Sequence, residues 1–208
     1  MALQAYPTAF PLIVVLADPE RVNFPTIVNG ALREIYSRPL GKRLIDEILQ
    51  GRPMRRLTPP IVDYVVAIMS SNDQSNRTPA PPGTALPGNR AVRASEIGGT
   101  YHNRPASQQQ GQAAGTATAV RWNPNVITTP DGSRPPFIGL AHELIHARRN
   151  VRGFGQPDGD LEERETVGLA FSSDDITENA IRSEHGLPPR RNYGDLEFEC
   201  GWLAPLIS

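Results

Sequence analysis

Hydrophobic positions in this chain come in short groups, separated by polar or proline-rich stretches. Pro11 to Ala17 is a continuous apolar run that predicts a buried strand, stopped by Asp18-Pro19-Glu20. Residues 1–9 ahead of it carry little pattern and read as a loose leader. From Pro25 the spacing becomes helical, with Ile27, Ala31, Leu32 and Ile35 on one side as far as Ser37. Pro39 then sits where a first helical turn tolerates proline, with Ser37 as a cap. Leu40, Leu44, Ile45 and Ile48 carry this second amphipathic helix to Gly51, a natural stop.

Ile61 to Met69, rich in Val and Ile, predicts another buried strand. Ala117 to Trp122 predicts a third, with Thr118 and Val120 on one face and Asn123-Pro124 as its stop. Its place in the chain makes it a candidate sheet edge for backbone pairing with an extended segment. Residues 70–115 between these strands have little hydrophobic pattern and contain linker chemistry such as Ala80-Pro81-Pro82-Gly83. A loop of that length in a compact domain is a functional segment or a linker. After an Asp131-Gly132 turn, a helix is expected from about Pro135 to Val151. A short helix over Glu162 to Ala170 follows, then one that opens at Thr177 and ends at Gly186. The last stretch, Leu196 to Ser208, holds Phe198, Trp202 and Leu203 and is expected to dock on the core.

Composition refines this picture. At 208 residues the chain is long enough to bury one real core, and the expectation is a single domain with residues 116–195 as its working core. Its 21 prolines are about twice the share of roughly 5% in an average protein, in keeping with short elements and much irregular chain. A net charge of −1 gives no ground for a nucleic acid or an anionic membrane as partner, and a monomer is expected. The charge is unevenly spread: residues 1–100 carry 11 basic and 8 acidic groups, residues 101–208 carry 10 and 14. With Cys200 as the single cysteine, no disulfide forms within the chain and a thiolate-based zinc site is excluded. No run approaches the roughly 18 apolar residues of a membrane span.

The chemistry lies in Ala141-His142-Glu143-Leu144-Ile145-His146-Ala147, which contains His-Glu-x-x-His. Positions four apart share one face of a helix, so His142 and His146 can offer two imidazoles to one metal. Glu143 stands beside the pair, where a carboxylate can take a proton from a water on that metal. Zinc suits this set, since it accepts two imidazoles and a carboxylate and keeps a fourth position open. The third ligand is sought in Glu162-Glu163-Arg164-Glu165, whose carboxylates point in different directions along a helix. Glu163 is taken first, with Glu165 and then Glu178 as alternatives. Arg190 and Tyr193, after the Thr177 helix, offer a cation and a phenol for a tetrahedral oxyanion.

These segments together resemble the NleD-like zinc metallopeptidases, bacterial effectors delivered into host cells by type III secretion. The resemblance rests on the His142 to His146 motif, on Glu162-Glu163-x-x-x-Val167-Gly168, and on Glu178-Asn179-x-Ile181-Arg182-x-Glu184-His185-Gly186-Leu187-Pro188-x-Arg190-x-x-Tyr193. It covers residues 136–193 strongly and the rest faintly. The same order of motifs is locally similar to clostridial neurotoxin light chains, where the second glutamate of a pair binds zinc and an Arg-x-x-Tyr pair faces the oxyanion. The resemblance implies His142, His146 and Glu163 as ligands of Zn2+, Glu143 as base, and Arg190 and Tyr193 as stabilisers. Arg164 stands where leucine is usual after the paired glutamates, which keeps the choice between Glu163 and Glu165 open.

The fold implied is a small α+β zincin-like metallopeptidase domain, with a few-stranded sheet packed on the motif helix. The function implied is a secreted effector endopeptidase acting in the host cytosol on a signalling protein, of which mitogen-activated protein kinases are one type. Two other readings use the same motif: a toxin peptidase directed at competing bacteria, and an inactive, zinc-stabilised binding module.

Overall fold

The computed structural model describes residues 3–51, 55–57, 62–70, 90–93, 117–152, 159–169 and 174–192. Its centre is a five-stranded mixed sheet built from β1 (Gln4–Pro7), β2 (Ile13–Ala17), β5 (Val66–Ser70), β7 (Thr118–Trp122) and β6 (Arg90–Arg93), in the order β1-β2-β5-β7-β6. The inner strands β2, β5 and β7 run parallel, with Ile13 opposite Val66 and Val66 opposite Thr118. The outer strands β1 and β6 pair antiparallel to their neighbours. Two small hairpins stand apart: β3 (Arg55–Leu57) with β4 (Val62–Tyr64), and β8 (Thr128–Thr129) with β9 (Gly132–Ser133).

Parallel strands need a long crossover. Between β2 and β5 it is made by α1 (Phe24–Tyr36), α2 (Pro39–Leu49) and the β3-β4 hairpin. Both faces of the inner strands are covered, so their sequences read as unbroken apolar runs. On one face Ile13, Val15 and Ala17 join Val28, Leu32 and Ile35 of α1 and Leu44, Ile45 and Ile48 of α2 in the main core. On the other, Val14 packs in a smaller cluster with Tyr64, Ala67 and Ala117. The third helix, α3 (Pro136–Arg152), lies across α1, α2, β7 and β6. Of its 17 residues 13 are buried, so its polar side chains must find partners inside the protein. Two short helices, α4 (Gly159–Val167) and α5 (Glu178–Glu184), return across α3. This is the α+β fold expected, with a small sheet packed on the motif helix. No helix among the described residues is long and apolar enough to cross a membrane.

Several expectations change. Gln4–Pro7, within the supposed leader, is an edge strand held by pairing to β2, a partner that its own sequence does not reveal. Ile61 to Met69 does not form one strand: the ladder breaks at Val65, whose N–H donates to Leu12 O at 2.8 Å, so β4 serves the hairpin and β5 the main sheet. Arg90–Arg93 forms a strand inside the 70–115 stretch, and the rest of 71–115 lies outside the described residues. That strand covers β7, so the sheet edge beside α3 is β6 rather than Ala117 to Trp122. Ser37 does not cap α2: its N–H and hydroxyl both donate to Glu34 O and close α1, while Arg38 leads extended into α2 without a side-chain cap. Leu196 to Ser208, including Cys200, lies outside the described residues.

The α1–α2 corner is tight because of Gly41. A Cβ there would stand 1.9 Å from Ile35 O, whereas one at Gly30, in mid-α1, would meet nothing within 4 Å. The two glycines therefore respond with opposite signs. Gly41→Ala forces the helices apart and is expected to cost about 3 kcal/mol. Gly30→Ala relieves the entropic penalty of a mid-helix glycine and is expected to stabilise by about 0.5–1 kcal/mol. Urea unfolding of the two variants measures both.

Candidate metal centre

Helix α3 presents His142 and His146 on one face, and the helical rise brings their Nε2 atoms to 3.2 Å from each other. Helix α4 crosses so that Glu163 Oε2 lies 3.0 Å from His142 Nε2 and 3.2 Å from His146 Nε2. These three atoms are the group among the described residues that can hold a metal ion. Ligand atoms at about 2.0–2.1 Å from a tetrahedral zinc stand roughly 3.3 Å from one another, so the donor set fits such an ion with little adjustment.

The far side of each imidazole is held as well. His142 Nδ1 lies 2.9 Å from Glu178 Oε2, and His146 Nδ1 lies 3.1 Å from Glu162 Oε1. A carboxylate only accepts, so a proton on each Nδ1 satisfies Glu178 and Glu162 and leaves the two Nε2 atoms as the ones that a metal ion beside Glu163 would take. Such outer carboxylates fix ring orientation and raise ligand basicity. Three electron-pair donors so close together require a cation among them. In the metal-free protein a proton serves: burial alone would lower His146, but the carboxylates of Glu162 and Glu163 outweigh it and push it up to about 10. His142 is likewise raised, against burial, by Glu163 and Glu178. Glu163 is held well below the usual carboxylate range, its burial overcome by the bonds to both histidines.

Glu143 follows His142 on the same helix and is almost wholly buried. Burial pushes its carboxyl upward, offset in part by the charges of His142 and His146. Its Oε2 has no hydrogen-bond partner among the described residues, a costly state for a buried oxygen unless a ligand or water completes it.

The other acidic candidates sort themselves by helix face. Glu165 pairs with Arg149 of α3 and so faces away from the three donors. Glu178, the remaining alternative, is fully buried behind His142 rather than among the donors. Its oxygens also accept from Arg182 Nη1 at 2.9 Å and Arg190 Nη1 at 3.1 Å. Burial would raise Glu178; the His142 bond, then Arg190 and Arg134, hold it at about 2. Arg190 thus sits at the centre, bound to Glu178 and, through Nη2, to Asn192 O. Its backbone is pinned to α5 by Asn179, which both accepts from Arg190 N and donates to Arg190 O. Tyr193 lies outside the described residues.

Sequence reasoning missed the bracing roles of Glu162 and Glu178. Both stand inside the segments that carry the family resemblance, but nothing in their own spacing says which atom of which ring they reach. It also missed why Gly168 closes α4. That residue has φ +82°, and a Cβ on it would lie 2.5 Å from Thr177 Oγ1. Thr177 in turn caps α5 by accepting from Ala180 N, and so sets the helix that begins with Glu178.

Removing the brace should loosen the metal without removing a ligand. Glu178→Ala is expected to weaken zinc binding by about 10–100-fold, read by competition with a chromogenic chelator. The same carboxylate sets an acid dependence. Its folded value of about 2 lies below the ordinary 4.5, so its contribution is complete above 4.5 and is lost as pH falls toward 2. The melting temperature of the metal-free protein should fall through that window, and less steeply in Glu178→Gln.

Residues 17–193 match the family model Peptidase_M91, described as effector protein. The resemblance to NleD-like effectors drawn from the motifs agrees with this match. Among solved structures, the chain is similar to the botulinum neurotoxin type G light chain, with 18% identity and a TM-score of 0.47 over 73% of this chain and 46% of that one. It is similar too to the type D light chain, at 15% identity and a TM-score of 0.44 over 72% and 47% of the two chains. A third is a Clostridium botulinum neurotoxin type D derivative described as a targeted secretion inhibitor, at 14% identity and a TM-score of 0.46 over 74% and 48%. The chain thus spans about half the length of these structures. No curated protein matches it significantly. On the family match, which spans most of its length, the chain belongs to the Peptidase_M91 effector protein family.

Proposed function

We propose that this effector is a zinc endopeptidase that cuts a protein of the host cell. The observation that carries this reading is the pairing of three convergent donors with an unpartnered buried carboxylate oxygen on Glu143. His142, His146 and Glu163 would hold Zn2+, which when bound supplies a Lewis acid and brings a water's acidity close to neutral pH. Glu143 accepts the proton of the attacking water and hands it to the leaving amine, a task suited to a carboxyl whose pKa burial has raised. Arg190, anchored through Glu178, and Tyr193 stabilise the negative charge that develops on the scissile carbonyl oxygen. The edge strand β6, beside α3, offers backbone for pairing with an extended substrate.

An inactive, metal-stabilised module is disfavoured by the donor set. Structural zinc sites close all four positions with protein ligands, whereas among the described residues three donors converge and Glu143 stands beside them. For substrate, the family's effector character supports a host protein, and we propose a signalling kinase of the mitogen-activated type, acting in the host cytosol with this chain as a monomer.

Three variants test the chemistry. Glu143→Gln is expected to keep about one zinc per chain while cleavage falls by about 10²–10⁴-fold, as metal analysis and a kinase-cleavage assay would show. His142→Ala and Glu163→Ala are expected to lose both zinc and cleavage. Treating the wild-type protein with a chelator should abolish cleavage, and added zinc should restore it. Cleavage retained in Glu143→Gln removes that residue from the role of base.

A further inference from the structure

Five arginines are buried among the described residues: Arg134, Arg148, Arg149, Arg182 and Arg190. Four of them have carboxylate partners. Arg148 reaches Glu47 and Asp174, Arg149 reaches Glu165, and Arg182 and Arg190 both reach Glu178. Arg134 is the exception. The residue is only 9% exposed, its Nε is buried without an acceptor, and it forms no ion pair among the described residues.

A guanidinium does not shed its proton at any working pH, and a buried unpaired charge is costly. The backbone around Arg134 is nonetheless fixed. Its N–H donates to Ile127 O at 2.7 Å, and it sits between the β8-β9 hairpin and the first turn of α3. The hairpin is also clasped to the Arg190 segment, since Asp131 accepts from the backbone N–H groups of Arg191 and Asn192 at 3.0 and 3.1 Å. Both restraints fix the backbone from which the buried Arg134 side chain extends.

Burial, above all, opposes the charge on Arg134; among its charged neighbours Glu178 and Glu143 attract it, and Arg190 and Arg182 repel it. Three guanidiniums therefore share two carboxylates, one of which is the proton acceptor with an unpartnered Oε2. Arg134, the buried guanidinium without an ion pair among the described residues, carries the complement of the charge that a carbonyl oxygen acquires when water adds to it. Both Nη atoms of Arg190 are already engaged, by Glu178 and by Asn192 O. Arg134 keeps its donors in reserve.

We propose that Arg134 is a further catalytic residue, whose guanidinium donates to the scissile carbonyl oxygen as that oxygen becomes an oxyanion. The proposal rests on the reading of the chain as a peptidase with Glu143 as base. Every peptide bond brings such an oxygen beside Glu143, whatever its side chains, so the role is independent of substrate sequence. A buried donor that meets its charge only in the transition state needs no reorganisation at that moment, which makes such groups effective in catalysis.

The test uses the full chain loaded with zinc, in wild-type, Arg134→Gln, Arg134→Lys and Glu143→Gln forms. One measurement is kcat and KM on peptides selected by cleavage from a randomised library. The other is the affinity for inorganic phosphate, a tetrahedral anion, by calorimetry. Arg134→Gln is expected to lose about 10²-fold in kcat with KM within about twofold, equally for peptides with and without acidic residues. Phosphate should bind it about tenfold more weakly, and Arg134→Lys, which keeps the charge, should recover part of both losses. Unchanged kcat and phosphate affinity in Arg134→Gln overturn the assignment. So does a rise in KM confined to peptides with acidic residues, which would make Arg134 a reader of substrate side chains. Glu143→Gln separates this from the parent reading, because it should abolish turnover and still bind phosphate. If zinc-loaded wild type cuts nothing, the peptidase reading falls, and the phosphate comparison between wild type and Arg134→Gln still decides whether Arg134 faces an anion.

Discussion

The bond between His142 Nδ1 and Glu178 is the contact on which the rest of the centre depends. Two imidazoles on successive helical turns do not make a metal clasp until something fixes the direction of each ring and the nitrogen that holds the proton. Glu178 does this for His142 from a fully buried position, where a lone carboxylate would not survive. It is tolerated because Arg182 and Arg190 donate to its two oxygens. Breaking any member of such a set leaves the others as uncompensated charges, so the ring, the two guanidiniums and the carboxylate stand or fall together. The rest of the local fold serves this placement. Thr177 caps the helix that begins with Glu178, and Gly168 leaves the room Thr177 needs.

What could be read in the sequence was what local chemistry determines. The motif helix, the Thr177 cap and the Gly186 stop are set by residues within a turn or two of one another, and they stand where expected. The strands β1 and β6 were not legible, because a four-residue strand owes its existence to a partner far along the chain. Ser37 looked like the start of one helix and proved to be the end of another, since both readings ask for a small polar residue at a helix boundary.

The choice among four glutamates shows the same division. Residues two apart on a helix point in directions about 200° apart, so the sequence already implied that Glu163 and Glu165 could not both face one ion. Which of them does depends on the angle at which α4 crosses α3, and that angle is a property of tertiary packing. Arg149, a neighbour of the motif, takes Glu165 and so leaves Glu163 turned toward the imidazoles. The runs of charge in this half of the chain were therefore less a solvated face than a set of internal partners.

Arg148 adds a mechanical side to this arrangement. One residue on the metal helix is bonded at once to Glu47 of α2, through Nε, and to Asp174, just ahead of the Thr177 cap, through Nη1. Such a staple at two points stops α3 from sliding or turning about its axis without breaking both partly buried ion pairs. Any motion that opens the centre must then come from other parts of the molecule, with the central rod acting as the anvil against which they work.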